Sequence, residues 1–307
     1  MNNFIFTRVS IFRNLKDYKF MPKLDKEKAQ EIENAMDKAL SENYSKVVLD
    51  NSDATTLKYL FENNLASKNT KGVYLDKKNT ISVSLFENEH IYIRSTGYGY
   101  TPSAIRNALD LAKNLANKLN FAYSDEFGFL MSDIINLGCG LKLECDLDLN
   151  AINNIGKIEQ VMQNVRKLGY LLTEKEANIY TLSTVCNLGY SETEIVNEFE
   201  KMISKLLDLE MESAKMLLAS KHDEVMDKIM RSPAILSSAY LMNAEELKTH
   251  LSIIRTGLNL NLIEFDNEKL NRIQQLITNK NSEIAGQSEL VELAKRVREI
   301  VKGEKDV

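Results

Sequence analysis

A change of hydrophobic period near residue 190 restricts the fold more than any other feature of this chain. Before it, apolar residues alternate in short runs such as Gly72-Val-Tyr-Leu75, Ile81-Ser-Val-Ser-Leu85 and Ile91-Tyr-Ile-Arg94, the pattern of half-buried strands. The turn-prone Asp76-Lys-Lys-Asn79 makes the first two a hairpin. From Leu141 to Leu149, five apolar residues alternate with Lys142, Glu144, Asp146 and Asp148, which predicts a strand with one wet, acidic face. Between Pro102 and Asn120 the apolar spacing is helical, with Thr101 or Ser103 available as a cap.

After Ser191 the stripe Ile195, Phe199, Met202, Ile203, Leu206, Leu207 and later Val225, Met226, Ile229, Met230 predicts a long helix that stops before Pro233. A further helix is expected behind an Asn243 cap, its backbone N–H partner and reciprocal acid both supplied by Glu246, ending at Gly257. Two more are expected over about Glu268 to Thr278 and Glu289 to Val301. The expected division is therefore an α+β domain over residues 1–190 and an all-helical domain over 191–307.

With 39 Lys+Arg against 44 Asp+Glu, the net charge of −5 excludes a strongly basic nucleic-acid binder. No stretch approaches the ~20 apolar residues of a membrane span, and Met1 to Phe20 lacks the layout of a secretory signal. A cytoplasmic protein without nucleic-acid or membrane partners is expected. Cys139, Cys145 and Cys186 are odd in number and lack CxxC spacing, which argues for reduced thiols and against a disulfide framework or zinc knuckle. His90, His222 and His250 are too dispersed for a metal cluster, so no metal site is expected.

Three segments concentrate polar groups beside strands or tight turns: Thr7 to Leu15, Glu87 to Arg94, and Ser132 to Lys142. None carries a P-loop or dinucleotide motif. In order, however, they resemble the ATP:guanidino phosphotransferases, and within them the bacterial protein-arginine kinases of the McsB type. The family's S-S-R-(I/V)-R-x-x-R-N-L is recognisable in Phe6-Thr7-Arg8-Val9-Ser10-Ile11-Phe12-Arg13-Asn14-Leu15, followed by its F-P signal as Phe20-Met21-Pro22. Its N-E-E-D-H-(I/L)-R corresponds to Phe86-Glu87-Asn88-Glu89-His90-Ile91-Tyr92. Its E-E-F-G-Y-L-T-S-C-P-T-N-(L/V)-G-T-G-L-R corresponds to Asp125 through Lys142. Val165 to Gly169, Asn178 to Tyr180, Asn187 to Gly189 and Ile229 to Gly257 follow the bacterial branch, including its C-terminal helical domain. The resemblance implies a curved antiparallel sheet with flanking helices, the guanidino-kinase catalytic fold, plus the helical domain.

In that family arginines clamp the phosphates of Mg-ATP, while carboxylates and a cysteine hold a guanidinium in line with the γ-phosphate. Carried over residue by residue, the nucleotide positions are Arg8, Ser10, Asn64, Tyr92 and Lys142, with Arg94 as a displaced substitute on the strand face of Tyr92. Only Arg8 matches the family's residue: Ser10 and Tyr92 replace arginines, Asn64 replaces a histidine, and Lys142 keeps charge without the bidentate fork. The catalytic positions are Glu87, Asn88 and Asp133. Asn88 stands where the family's proposed base is a glutamate, and Asp133 replaces the cysteine. After Gly169 the family carries V-R-G-x-Y-G-E-G, a mobile loop with a phosphate arginine and a second catalytic glutamate. Here either the loop is deleted, leaving Glu174 or Glu176 as replacements, or Arg166 is its arginine and Leu171 stands at the glutamate. The phosphoarginine-binding R-D pair of the C-terminal domain reads Val291-Glu292.

The resemblance thus implies a catalytically impaired pseudokinase. It would serve as a binding or regulatory module in bacterial protein quality control, with stress-response or Clp-protease proteins or an active homologue as partners. The alternative is an active protein-arginine kinase using Mg-ATP; otherwise no cofactor is expected. Homodimerisation is expected from the same resemblance and from the Met- and Leu-rich C-terminal helices.

Overall fold

The computed structural model describes residues 3–21, 23–67, 70, 72–278 and 287–303; Pro22 of the Phe20-Met21-Pro22 signal lies outside them. β1 (Phe4–Arg13) is followed by α1 (Lys26–Leu40), β2 (Tyr44–Val48), α2 (Ala54–Glu62), β3 (Gly72–Asp76), β4 (Ile81–Leu85) and β5 (Ile91–Tyr98). Then come α3 (Pro102–Ala116), a short ribbon of β6 (Tyr123–Ser124) and β7 (Gly128–Phe129), and β8 (Leu141–Asp148). After α4 (Asn150–Asn154) and α5 (Ile158–Lys167), β9 (Tyr170–Glu176) and β10 (Ile179–Thr184) form a hairpin. The remainder is α6 (Glu192–Ser220), α7 (His222–Ser238), α8 (Ala244–Asn259), α9 (Asn267–Thr278) and α10 (Gln287–Lys302).

The main sheet runs β2-β3-β4-β5-β1-β8-β10-β9, antiparallel throughout, with the N-terminal strand in its middle. Period-two alternation sorts its residues onto two faces. Val9, Ile11, Val83, Ile93, Leu141 and Leu143 are buried against Ile32 and Met36 of α1, Ile105 and Leu115 of α3, and Phe199 and Ile203 of α6. The other face carries Arg8, Ser10, Ser82, Ser84, Arg94, Lys142, Glu144 and Asp146.

β8 has the expected alternation, but its acidic side is not wet. Asp146 is 0% and Asp148 1% exposed, because β8 lies between β1 and β10 and its far end is covered by α8. The hydroxyl of Thr101 does not cap α3; it donates to the Tyr98 carbonyl at 3.1 Å. The Asn243 cap does form, accepting from Glu246 N at 2.8 Å.

The helical half departs from the expected pattern at three points. The long helix ends at Ser220, and α7 starts at His222 and continues through Pro233 to Ser238. Ile229 and Leu236 are buried on either side of the proline, and their packing outweighs one lost helical rung. Gly257 is no cap but a crossing point: a Cβ there would meet Ile229 Cγ2 at 2.7 Å, and α8 runs on to Asn259. Finally, Ile195 to Leu207 of α6 join the core of the sheet, whereas Leu236, Leu251, Ile273 and Val297 of the later helices form a second core. Residues 192–207 of α6 thus share a core with the sheet, and the second core begins in α7. Among the described residues, no helix is long and apolar enough to cross a membrane.

Candidate functional site

Strand register assembles the polar face. Ser10 is paired with Arg94 on one side and Lys142 on the other, while Arg8 lies between Thr96 and Glu144. Residues two apart share a face, so Arg8, Ser10, Tyr92, Arg94 and Lys142 lie on one side of the sheet. What the sequence reading did not foresee is how their charges are already satisfied.

Arg8 grips Asp146 end-on: Nη1 donates to Oδ2 at 2.8 Å and Nη2 to Oδ1, while Nε lies 3.6 Å from Glu144 Oε2. The Asp146 carboxylate also accepts from Lys175 Nζ and from Thr181 Oγ1, each at 2.7 Å. Burial disfavours both charges, yet the pairing prevails: the Arg8 pKa moves up and that of Asp146 down. Lys142 Nζ lies 2.9 Å from Glu144 Oε1. Arg94 donates Nη1 to Ser84 Oγ at 2.5 Å and Nη2 to Glu87 Oε2 at 2.6 Å. Glu87 accepts further from Ser84 and Thr70 hydroxyls, both at 2.6 Å; despite burial, Arg94 first and these hydroxyls next hold its pKa below the usual value.

Tyr92, at a family arginine position, closes one end of this face with apolar surface. Its ring meets Phe12 edge-on at 4.6 Å between centroids, and Met131 and Phe129 pack against the pair. Burial pushes its phenol to about 12, so it contributes no charge at neutral pH.

On the guanidinium side, Asn88 and Asp133 are held apart from the Arg8 cluster by local turns. Asn88 is exposed in the turn between β4 and β5. Asp133 Oδ1 accepts from Ile135 N at 3.0 Å, the local cap of a single helical turn. That turn hangs from Glu89, which is fully buried and accepts from Ser132 N at 2.8 and 3.0 Å, from Asp133 N at 3.0 Å and from Asn14 Nδ2 at 2.5 Å. Asn64 occupies a left-handed turn after α2 with φ 55°, and the next carbonyl, Leu65 O, accepts from Ser82 Oγ at 2.5 Å.

After Gly169 the chain turns directly into a hairpin. β9 and β10 pair from Tyr170↔Thr184 to Glu176↔Ile179, leaving Ala177 and Asn178 as the turn, with Asn178 at φ 64°. No loop remains there to swing over the polar face. Glu176 is ion-paired to Lys248 of α8, and Glu174 stands opposite Tyr180, whose ring packs in the core behind the sheet. Arg166 is exposed in the last turn of α5, a helix that packs on that same rear face through Val161 and Val165. Neither register delivers an arginine or an acid to the face that holds Arg8.

Among the described residues, the polar face therefore sets the cations Arg8, Arg94, Lys142 and Lys175 against the carboxylates Glu87, Glu144 and Asp146. A triphosphate needs open donor forks, and both arginine forks are engaged within the chain, Arg8 by Asp146 and Arg94 by Ser84 and Glu87, so the arrangement as it stands does not fit Mg-ATP. Sequence reading missed Glu89, Glu144, Asp146 and Lys175. The signal for two of them was present in the acidic alternation of β8, which lies beside Arg8 once the β1–β8 register is set.

Comparison with known proteins adds the context of descent. A family model described as ATP:guanido phosphotransferase, C-terminal catalytic domain, matches residues 11–213, and one described as protein-arginine kinase McsB C-terminal domain matches residues 222–304. The protein-arginine kinase of Halothermothrix orenii is 27% identical over 290 residues, spanning 88% of this chain and 83% of that protein. That of Clostridium tetani is 25% identical over 334 residues, spanning 96% and 98%. Among solved structures, lombricine kinase superposes with a TM-score of 0.60 at 17% identity, over 71% of this chain and 67% of that one. The duplicated taurocyamine kinase of Schistosoma mansoni with bound transition state analog components gives 0.62 at 20% identity, over 81% and 37%. These two likenesses are of fold.

Proposed function

The chain belongs to the ATP:guanido phosphotransferase family, in its protein-arginine kinase branch, and on that premise we propose that it is a kinase relative with little or no phosphotransfer. It acts instead as a binding or regulatory module in bacterial protein quality control. The observation that carries this reading is the β9–β10 hairpin, closed at Glu176↔Ile179 where a catalytic loop would have to reach the reacting groups. Phosphoryl transfer rests on positioning and charge neutralisation, and removing one well-placed donor typically costs ~10²–10³ in rate. Here the loop residues, the carboxylate at Asn88 and the arginines at Ser10 and Tyr92 are missing together. Such losses are not additive, but each acts on the same transition state.

The proposed partners are proteins: stress-response or Clp-protease components, an active homologue, or a second copy of this chain. The second copy is supported by the apolar C-terminal helices and is tested by light scattering at micromolar concentration, where a dimer mass is expected and a clean monomer removes it. The activity test is incubation of the full chain with Mg-ATP and an arginine-rich protein, read by mass spectrometry under conditions that preserve acid-labile phosphoarginine. No phosphoarginine above background is expected. Its appearance, with loss in Arg8→Ala, would overturn the reading and establish the alternative: an arginine kinase using Arg8, Arg94 and Lys142 on phosphates and Glu87 and Asp133 on the guanidinium.

A further inference from the structure

Asp146 has the bonding pattern of a bound oxyanion. Oδ1 accepts from Arg8 Nη2 and Thr181 Oγ1, and Oδ2 from Arg8 Nη1 and Lys175 Nζ, so all of its in-plane acceptor positions are filled, two of the donors being cationic groups. It is fully buried at the floor of the polar face, while Lys175 and Lys142 are partly exposed above it. Glu144 completes the arrangement from the neighbouring pleat, bridging Lys142 and the Nε side of Arg8 and accepting from Ser183 Oγ at 3.2 Å. The donors converge on one spot, and the chain supplies the anion itself.

We propose that Asp146, assisted by Glu144, is a resident anion that occupies a latent polyphosphate site built from Arg8, Lys142 and Lys175, and so keeps the face closed to nucleotides and inorganic polyphosphates. This rests on the reading of the chain as an impaired kinase and adds a cause to it. The occupant is tethered by the β8 backbone and faces no loss of translational freedom, so a soluble anion competes against a very high effective concentration. Neutralising the tethered group without changing its shape leaves the fork with a weak acceptor and a net positive field, which is the condition for capturing an external oxyanion.

The test uses the full chain and inorganic tripolyphosphate as the probe, with Mg-ATP as a second probe, by isothermal titration calorimetry and thermal shift. Wild type is expected to bind neither at sub-millimolar concentration. Asp146→Asn should bind tripolyphosphate roughly tenfold tighter or more, with a melting temperature that rises with the ligand, and adding Arg8→Ala should abolish the gain. A folded Asp146→Asn that binds no tighter than wild type overturns the proposal. If that variant does not fold, Glu144→Gln, on the more exposed carboxylate, takes its place: tighter binding supports the proposal and unchanged binding overturns it. Wild type that binds Mg-ATP and forms phosphoarginine sinks the impaired-kinase reading, whereas silence in wild type and variants alike sinks only the resident anion.

Discussion

Replacing Arg255 by leucine should destabilise the protein by about 3–5 kcal/mol, because it strands a buried carboxylate. Arg255 and Asp148 are 2% and 1% exposed, and Arg255 Nη1 donates to Asp148 Oδ2 at 3.2 Å across the junction between β8 and α8. Both oxygens of Asp148 also lie 2.6 Å from Ser252 Oγ, and Arg255 Nη2 reaches Gln274 Oε1 at 2.8 Å. Arg255 Nε is buried without a hydrogen-bond partner, so the guanidinium is incompletely compensated even when paired. Removing both charges should therefore cost far less than removing either: Asp148→Leu with Arg255→Leu is expected within about 1–2 kcal/mol of wild type, the residue of that cost coming from Ser252 and Gln274 losing partners. The chain has no tryptophan, so urea unfolding is best followed by far-UV circular dichroism, with the coupling energy taken from a double-mutant cycle. A single Arg255→Leu penalty below about 1 kcal/mol, or a double variant as damaged as the sum of the singles, would refute the argument that this pair is costly to build and costlier to break.

Stability should also fall with rising pH through Glu210. Burial, opposed by the Ile152 and Ala151 N–H groups, raises its pKa to about 8, so between its ordinary value of 4.5 and 8 the unfolded carboxyl ionises while the folded one stays protonated. The loss, on the order of a few kcal/mol, is complete above that window, and Glu210→Gln should flatten the slope in pH-dependent urea melts. Glu89→Gln should cost about 1–3 kcal/mol, since an amide nitrogen would face the Ser132 or Asp133 N–H, and hydrogen exchange at residues 132–137 should rise; unchanged exchange would argue against the anchoring role. Gly138→Ala, at φ 113° with a Cβ 2.3 Å from Asn187 O, should lower the thermal midpoint strongly. Gly156→Ala, at φ 70° in open space, should cost only about 1 kcal/mol, and equal effects in the two variants would show that backbone strain alone decides.

The β4–β5 and β8 alternations made their strands legible, and the ordered motif residues assigned Arg8, Ser10, Arg94 and Lys142 to one site by resemblance, while their common face came from the β5–β1–β8 register. The charge state of that face was not legible, because period-two spacing says which residues share a side but not whether a neighbouring strand covers it. Asp146 and Asp148 look like solvent carboxylates until β10 and α8 are laid beside them. Pro233 misled for a related reason: a local rule about one lost N–H was overruled by burial of Ile229 and Leu236, residues whose partners come from distant helices. The shortness of the segment after Gly169 offered a deleted loop as one of two readings, but neither the β9–β10 hairpin nor the pairing of Glu176 with Lys248 was legible, because both depend on partners that no local pattern reveals.

The central place of β1 also sets a problem of timing during synthesis. Its residues 4–13 are synthesised well before their partners, residues 91–98 on one side and 141–147 on the other. Until those segments emerge, the nascent chain carries a strand with Ile5, Phe6, Val9, Ile11 and Phe12 exposed and both edges unpaired, a species prone to wrong pairing. Closure of such distant contacts is slow, so the interval before β8 emerges is when this protein most depends on a holding chaperone, and a translational pause just after residue 148, with β8 still inside the ribosome, should prolong it.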